Sequence, residues 1–170
     1  MELLVIRHGV AEDREEFAQR AKDDSLRPLT KEGRWKMERV ARGLRHLVPS
    51  LDLVATSPFV RAAQTAEIIA AAYHDAPVTN VDALTPDGAP DDFLAWLGER
   101  GSNGRVAAVG HEPHLGSLMA WLLTGQQVEG WIALRKGGVC LLELDRGRLK
   151  AGEGRLVWSL TPAMLGKLAD

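Results

Sequence analysis

The chain opens on four apolar residues, Leu3 to Ile6, that break abruptly into Arg7, His8 and Gly9. The run is too short for a helix and reads as a strand buried on both faces, of the kind found in parallel sheets. A charged stretch over residues 13–29 predicts a surface loop with a helical turn. From Thr30 the period changes. Met37, Val40, Ala41, Leu44 and Leu47 recur at helical spacing, Thr30 can cap the helix and Pro49 ends it. "DLVAT" predicts a second strand and "SPFVRAAQTAEIIAAAY" a second helix, with Ser57 as N-cap and Pro58 at the first helical position. Ala62, Thr65, Ala66, Ile69 and Tyr73 form its core side. "PVTNVDAL" is a weak third strand, "TPDGAP" a loop, and "DDFLAWLGER" a short helix capped by an aspartate. "RVAAV" is a strand ending at Gly110-His111, and Pro113 starts the helix after it. "GGVCLLELD" and "GRLVWSL" flank a Gly-rich turn and predict an antiparallel hairpin at the edge of the sheet. Strands that alternate with helices and end in a hairpin make one α/β domain over residues 1–170.

Composition narrows the possibilities without naming a function. The 170 residues suffice for a single core, and 45% apolar with 26% charged residues is ordinary for a soluble globular chain. A net charge of −2 gives no general attraction to nucleic acid or to an anionic membrane. Any anion site must therefore be a local concentration of positive charge. No stretch approaches the roughly 20 apolar residues of a membrane span, and the N-terminus lacks the basic flank and cleavage site of a signal peptide. A cytoplasmic setting is the expectation. Cys140, the single cysteine, lies in a strand and reads as a buried structural thiol. Seven cations from Arg27 to Arg45 read as a solvated helix face, with a docking patch as the alternative. Arg34, Glu38 and Arg42 sit four apart on it, suited to ion pairs of about 0.2–0.5 kcal/mol each. Trp35 falls off the apolar face.

The candidate chemistry lies at three strand ends: Arg7-His8-Gly9, Thr56-Ser57-Pro58 and Gly110-His111-Glu112. In open α/β sheets ligands bind beyond the carboxyl ends of the strands, so residues about 100 positions apart can meet there. Arg61 falls in the first turn of the second helix, at the positive end of its dipole, where a cation costs about 0.3–1 kcal/mol. A bound anion reverses that sign, because helix N-termini and arginines both attract phosphate. Arg7 places a second guanidinium at the neighbouring strand end. His46 and His74 sit at helix ends, where partial positive charge is favourable, and need no function. His111 and His114 form H-x-x-H without a further ligand set, so no metal is expected. His8 and His111 each follow a core strand, and Gly9 and Gly110 would let a ligand or a loop come close to the backbone. Together these parts suit phosphoryl transfer. The neutral His8 imidazole attacks phosphorus, its other nitrogen is fixed by a carbonyl, Arg7 and Arg61 neutralise the phosphoryl oxygens, and His111, if protonated, donates to one of them or else helps to position it.

Arg7-His8-Gly9 after an N-terminal strand resembles the signature of the histidine phosphatase superfamily, which includes the phosphoglycerate mutases. "SPFVRAAQTA" resembles its second motif, with Arg61 at the phosphate-binding arginine, and "VGHEPHL" its late motif, with His111 at the second histidine. "RPLTKEG" (Arg27 to Gly33), "GHEP" and "WSLTP" (Trp158 to Pro162) are similar to the pattern of the small SixA-type phosphohistidine phosphatases. The resemblance implies a three-layer α/β/α fold with a mostly parallel sheet. It implies catalytic and phosphate-binding roles for Arg7, His8, Arg61 and His111, and no metal or organic cofactor. The mutase-like branches carry a catalytic acid in a longer segment after the second motif. Here "VTNVDALTPDGAPDD" is short and lacks glutamate, which argues against mutase action and for an open pocket. Asp13, Asp87 and Glu112 stand as candidate proton donors. The expected substrate is phosphohistidine on a signalling or phosphotransfer protein. A small phosphoester phosphatase, a phosphate-binding module without turnover, and a metal hydrolase on His111 and His114 are the alternatives.

Overall fold

Successive residues of the first strand, β1 (Glu2–Arg7), project to opposite faces, and both faces are dry in the computed structural model, which describes residues 1–100, 104–145 and 149–169. Leu4 and Ile6 enter one apolar cluster, Leu3 and Val5 the other. A strand apolar on every position needs helices on both sides, and the chain supplies them. α1 (Arg14–Ala18) and α2 (Lys31–Leu47) precede β2 (Leu53–Thr56); α3 (Val60–Ala72) precedes β3 (Val78–Asn80); α4 (Pro90–Glu99) precedes β4 (Arg105–Gly110). After α5 (His114–Thr124) come β5 (Val139–Glu143), β6 (Arg155–Leu160) and α6 (Pro162–Lys167). Residues of α2, α3 and α6 pack on the Leu4 face, and those of α4 and α5 on the Leu3 face. The result is the expected three-layer α/β/α fold.

The sheet runs β3-β2-β4-β1-β5-β6. β3, β2, β4 and β1 are mutually parallel, and β5 pairs antiparallel to both β1 and β6. The hairpin thus puts only β6 at the edge and buries β5 inside the sheet, with Cys140 buried beside β1. Its predicted turn includes residues 146–148, which lie outside the described residues.

Local details correct four expectations. α3 begins at Val60 with Phe59 as its cap residue, because Ser57 N–H is already committed to the Val109 carbonyl (2.9 Å) and continues the strand pairing. α4 starts at Pro90, with no aspartate cap, and Pro113 precedes α5 as its cap residue. Leu47, the last residue of α2, is 44% exposed rather than part of the core face. On the exposed side of α2 the ion pair runs from Lys36 to Glu32 (2.5 Å), and Trp35 is exposed with the Arg39 guanidinium over its ring.

Two of the quoted motifs turn out to be joints. Thr30 caps α2 by accepting from Gly33 N–H (2.9 Å). A Cβ on Gly33 would lie 2.0 Å from the Val10 carbonyl oxygen, so α2 can press directly on the loop after β1. In "WSLTP", Thr161 caps α6, and α6 packs so tightly on α2 that a Cβ on Gly43 would lie 1.9 Å from the Leu165 carbonyl oxygen. Gly43→Ala should therefore destabilise the protein by about 1–3 kcal/mol through overpacking. Gly98→Ala, on the exposed side of α4 with its nearest neighbour 3.8 Å away, should instead gain about 0.5–1 kcal/mol from helix propensity. Urea unfolding of the two variants checks the opposite signs.

Candidate active site

Register assembles the site. β1 and β4 pair so that Arg7 stands beside Gly110, and β2 and β4 so that Thr56 stands beside Val109. His8, Ser57 and His111 are therefore the first residues past three adjacent strand ends. His8 N–H donates to the Gly110 carbonyl (3.1 Å). The rings of His8 and His111 lie 5.1 Å apart, and Phe59 meets His111 edge-on at the same spacing. The Arg61 guanidinium lies over Phe59 (5.0 Å). All four predicted site residues, Arg7, His8, Arg61 and His111, gather in this one region.

The partners of these side chains define what remains available. His8 Nδ1 is 2.7 Å from the Gly9 carbonyl, which can only accept. The proton of a neutral His8 is therefore on Nδ1 and the lone pair on Nε2. Arg7 Nη1 donates to the Leu134 carbonyl (2.7 Å). Arg61 Nη1 donates to the Asp24 carbonyl (2.8 Å) and Nη2 pairs with the Asp24 carboxylate (3.1 Å). His111 Nε2 lies 2.9 Å from Ser57 Oγ. Among the described residues, three buried nitrogens of these four side chains find no partner: Nε of Arg7, Nε of Arg61 and Nδ1 of His111. Buried polar atoms are rarely left unpaired, and these three belong to the same small group of residues.

Burial is the main electrostatic influence. It pushes His8 down to about 3, with Arg61, Arg7 and Lys136 adding to the effect and the Gly9 carbonyl opposing it. Burial likewise brings His111 down to about 3, helped by His8 and Arg61. Both imidazoles are neutral at physiological pH. Burial also works against the charges of Arg7 and Arg61, and Glu112 and Asp24 respectively oppose it.

The candidate proton donors fall elsewhere or are occupied. Asp13 caps α1, accepting from the Glu15 and Glu16 amides, and Asp87 is exposed in the loop before α4. Glu112 accepts from Leu134 N–H (2.7 Å) and Gly116 N–H (3.1 Å). It is thus a clamp that holds Leu134, whose carbonyl takes Arg7. Asp24 was not singled out from the sequence, because its partner is 37 residues away and nothing local marks it. Gly9 and Gly110 serve the protein's own packing. A Cβ on Gly9 would meet Met37 at 2.6 Å, and one on Gly110 would meet Leu115 and the Leu84 carbonyl at 3.1 Å. Buried His114 makes no regular hydrogen bond through its ring, and burial lowers its pKa. Among the described residues no three His, Cys, Asp or Glu side chains could hold a metal ion, and no helix is long and apolar enough to cross a membrane. A recess of about 910 Å³ opens at the opposite ends of the strands, among Glu2, Asp52, Arg105, Glu143 and Arg155. Its arginines are spent on ion pairs, Arg105 with Glu2 and Arg155 with Glu143.

The chain is similar to known proteins over nearly its whole length. A family model described as histidine phosphatase superfamily (branch 1) matches residues 3–85. An uncharacterized protein of Picosynechococcus sp. is 36% identical over 163 residues, covering 95% of this chain and 96% of that protein. The phosphohistidine phosphatase SixA of Escherichia coli is 29% identical over 168 residues, covering 97% and 96%. A structure of the protein histidine phosphatase SixA complexed with tungstate superposes with a TM-score of 0.80 at 27% identity, over 96% of this chain and 98% of that one.

The buried imidazoles make stability depend on pH. Below about 6.5 the unfolded chain protonates both histidines, whereas the folded chain resists until about 3. The unfolded state then binds more protons, so folding stability falls as pH drops through this window and is unaffected by these groups above it. Urea midpoints measured from pH 7 to pH 4 should fall less steeply in His8→Gln/His111→Gln than in the parent.

Proposed function

We propose that this chain, which belongs to the histidine phosphatase superfamily, removes phosphate from phosphohistidine on a protein through a covalent phospho-His8 intermediate. The coarse activity is that of a phosphatase, a hydrolase; the substrate and the residue roles are our reading. The observation that carries it is the bare Nε2 of a neutral, buried His8 beside three buried nitrogens that the protein leaves unpaired. A tetrahedral oxyanion supplies acceptors for such nitrogens. Its central atom is then within reach of a nucleophile.

In the first step the His8 Nε2 lone pair forms a bond to phosphorus. The bond between phosphorus and the substrate's imidazole nitrogen breaks, and that nitrogen takes a proton from solvent. Arg7 and Arg61 hold the oxygens, where negative charge is concentrated throughout. In the second step water attacks phosphorus, the bond to Nε2 breaks, and inorganic phosphate leaves with His8 restored. Splitting one displacement into two uses the nucleophilicity of imidazole and its ability to leave again.

A protein substrate is favoured over a small phosphoester by the segment after β3. Residues 81–89 hold one short 3₁₀ turn (Asp82–Leu84) and a loop, contain no glutamate, and build no lid. A phosphorylated side chain on a folded partner needs an open approach. A phosphoramidate also needs less help from an acid on leaving than an ester does. The likeness to SixA proteins over nearly the whole chain supports the same reading, and the tungstate bound in one of them is a tetrahedral oxyanion.

Incubation with a ³²P-labelled phosphohistidine protein and rapid quenching should trap label on the chain, and His8→Ala should abolish it. Arg61→Ala should lower kcat/KM by about 10²–10³-fold, as removal of a buried donor to a developing oxyanion does. Turnover of phosphohistidine protein should exceed that of sugar phosphates. Normal turnover by His8→Ala refutes the nucleophile, and a preference for sugar phosphates refutes the substrate.

A further inference from the structure

We propose that Ser57 is a positioning residue that holds His111 in its Nδ1–H tautomer, so that the neutral ring donates a third hydrogen bond to the phosphoryl group. The inference rests on the phosphoryl-transfer reading above and adds to it the origin of that donor.

Ser57 and His111 are both almost inaccessible, at 0% and 2% exposure. A hydroxyl has one proton and two lone pairs. One lone pair of Ser57 Oγ already accepts from Phe59 N–H (3.3 Å). The remaining contact is His111 Nε2 at 2.9 Å. Two arrangements satisfy that distance. If Nε2 carries the proton, Oγ accepts twice and its own hydrogen points into protein where, among the described residues, no other acceptor lies within bonding distance. His111 Nδ1 would then present a lone pair to the anion, and the two would repel. If Ser57 donates to a bare Nε2, the hydroxyl proton is satisfied, only a lone pair of Oγ stays free, and the ring proton sits on Nδ1. That atom is buried and has no protein partner. A phosphoryl oxygen completes it. Only the second arrangement leaves neither a stranded hydroxyl proton nor a lone pair facing negative charge.

The placement of Ser57 follows from the fold. Its backbone is fixed to the last residues of β4 by the bond to the Val109 carbonyl, and His111 follows two residues later. The hydroxyl therefore sits at the level of the ring it orients. Thr56 Oγ1 donates to the Ser57 carbonyl (3.0 Å) and restrains the same turn.

Long-range ¹H–¹⁵N NMR of the parent protein reads the tautomer directly. His111 should show a protonated Nδ1 and a bare Nε2, with tungstate shifting the Nδ1 resonance further than the Nε2 resonance. Ser57→Ala should lose this bias, shifting His111 towards the Nε2–H tautomer, and lower the rate of His8 phosphorylation by about 10–10²-fold, within the effect of one lost oxyanion donor. Ser57→Thr, which keeps the hydroxyl, should retain the Nδ1–H pattern. A parent spectrum with Nε2 protonated overturns the inference, as does an unchanged tautomer in Ser57→Ala. Both outcomes are separable from failure of the phosphatase reading, because label trapped on His8 reports that reading independently.

Discussion

In-register pairing of β1, β4 and β2 is the constraint on which the site depends. Because Arg7 stands beside Gly110 and Thr56 beside Val109, the next residues of three distant segments share one level above the sheet. Apolar patterning cannot fix this register by itself, since β1 is buried on both faces and a one-residue slip would exchange one apolar set for another. The polar ends fix it instead. Glu2 and Arg105 are register partners at one end and form an ion pair there. At the other end Arg7 N–H binds the Gly138 carbonyl (3.1 Å) and His8 N–H the Gly110 carbonyl. A slip would draw Arg7 or Glu2 into the dry core, where an unpaired charge is costly.

The cations of the site are held by partners that leave one face unused. Arg61 spends both Nη atoms on Asp24, and Arg7 spends Nη1 on the Leu134 carbonyl, itself steadied through Glu112. The Nε atoms stay unpaired. Such fixing lets a donor act without reorganising when charge arrives. It also separates two kinds of acid in the structure. Asp24 and Glu112 are bound to arginine or backbone amides and shape the site, whereas Asp13 only caps a helix at some remove.

Much of this was legible in the sequence, and the failures share a cause. The α2 core face apart from Leu47 followed from periodicity, and the gathering of Arg7, His8, Arg61 and His111 from charge placed after apolar runs, whereas the three layers were implied by the family resemblance. Those signals are local, or depend only on strands being parallel. Ser57 misled because a Ser-Pro pair is a real helix-start signal, yet the strand pairing reached one residue further and redirected the hydroxyl to His111. The roles of Asp24 and Glu112 depend on partners 37 and 22 residues distant, so no window contains them. The hairpin was visible, but which strand it would join was not, and β5 became an interior strand. Gly33 and Gly43 look like helix-weakening residues until the carbonyls of Val10 and Leu165 are seen against them.

Two imidazoles of similar burial, 5.1 Å apart, do opposite jobs in the proposed mechanism, and burial alone would make them alike. The difference comes from the group behind each ring. A carbonyl can only accept, so Gly9 forces the His8 proton onto Nδ1 and leaves Nε2 electron-rich. A hydroxyl can accept or donate, so the outcome at His111 depends on what else Ser57 binds. The Phe59 amide takes one of its lone pairs, and among the described residues His111 Nε2 is the acceptor in reach of its proton. The start of α3 therefore reaches the chemistry twice, once through Arg61 and once through the amide that orients Ser57. In the proposed mechanism one turn of backbone supplies a cation for the anion and carries the amide bound to the hydroxyl that orients His111.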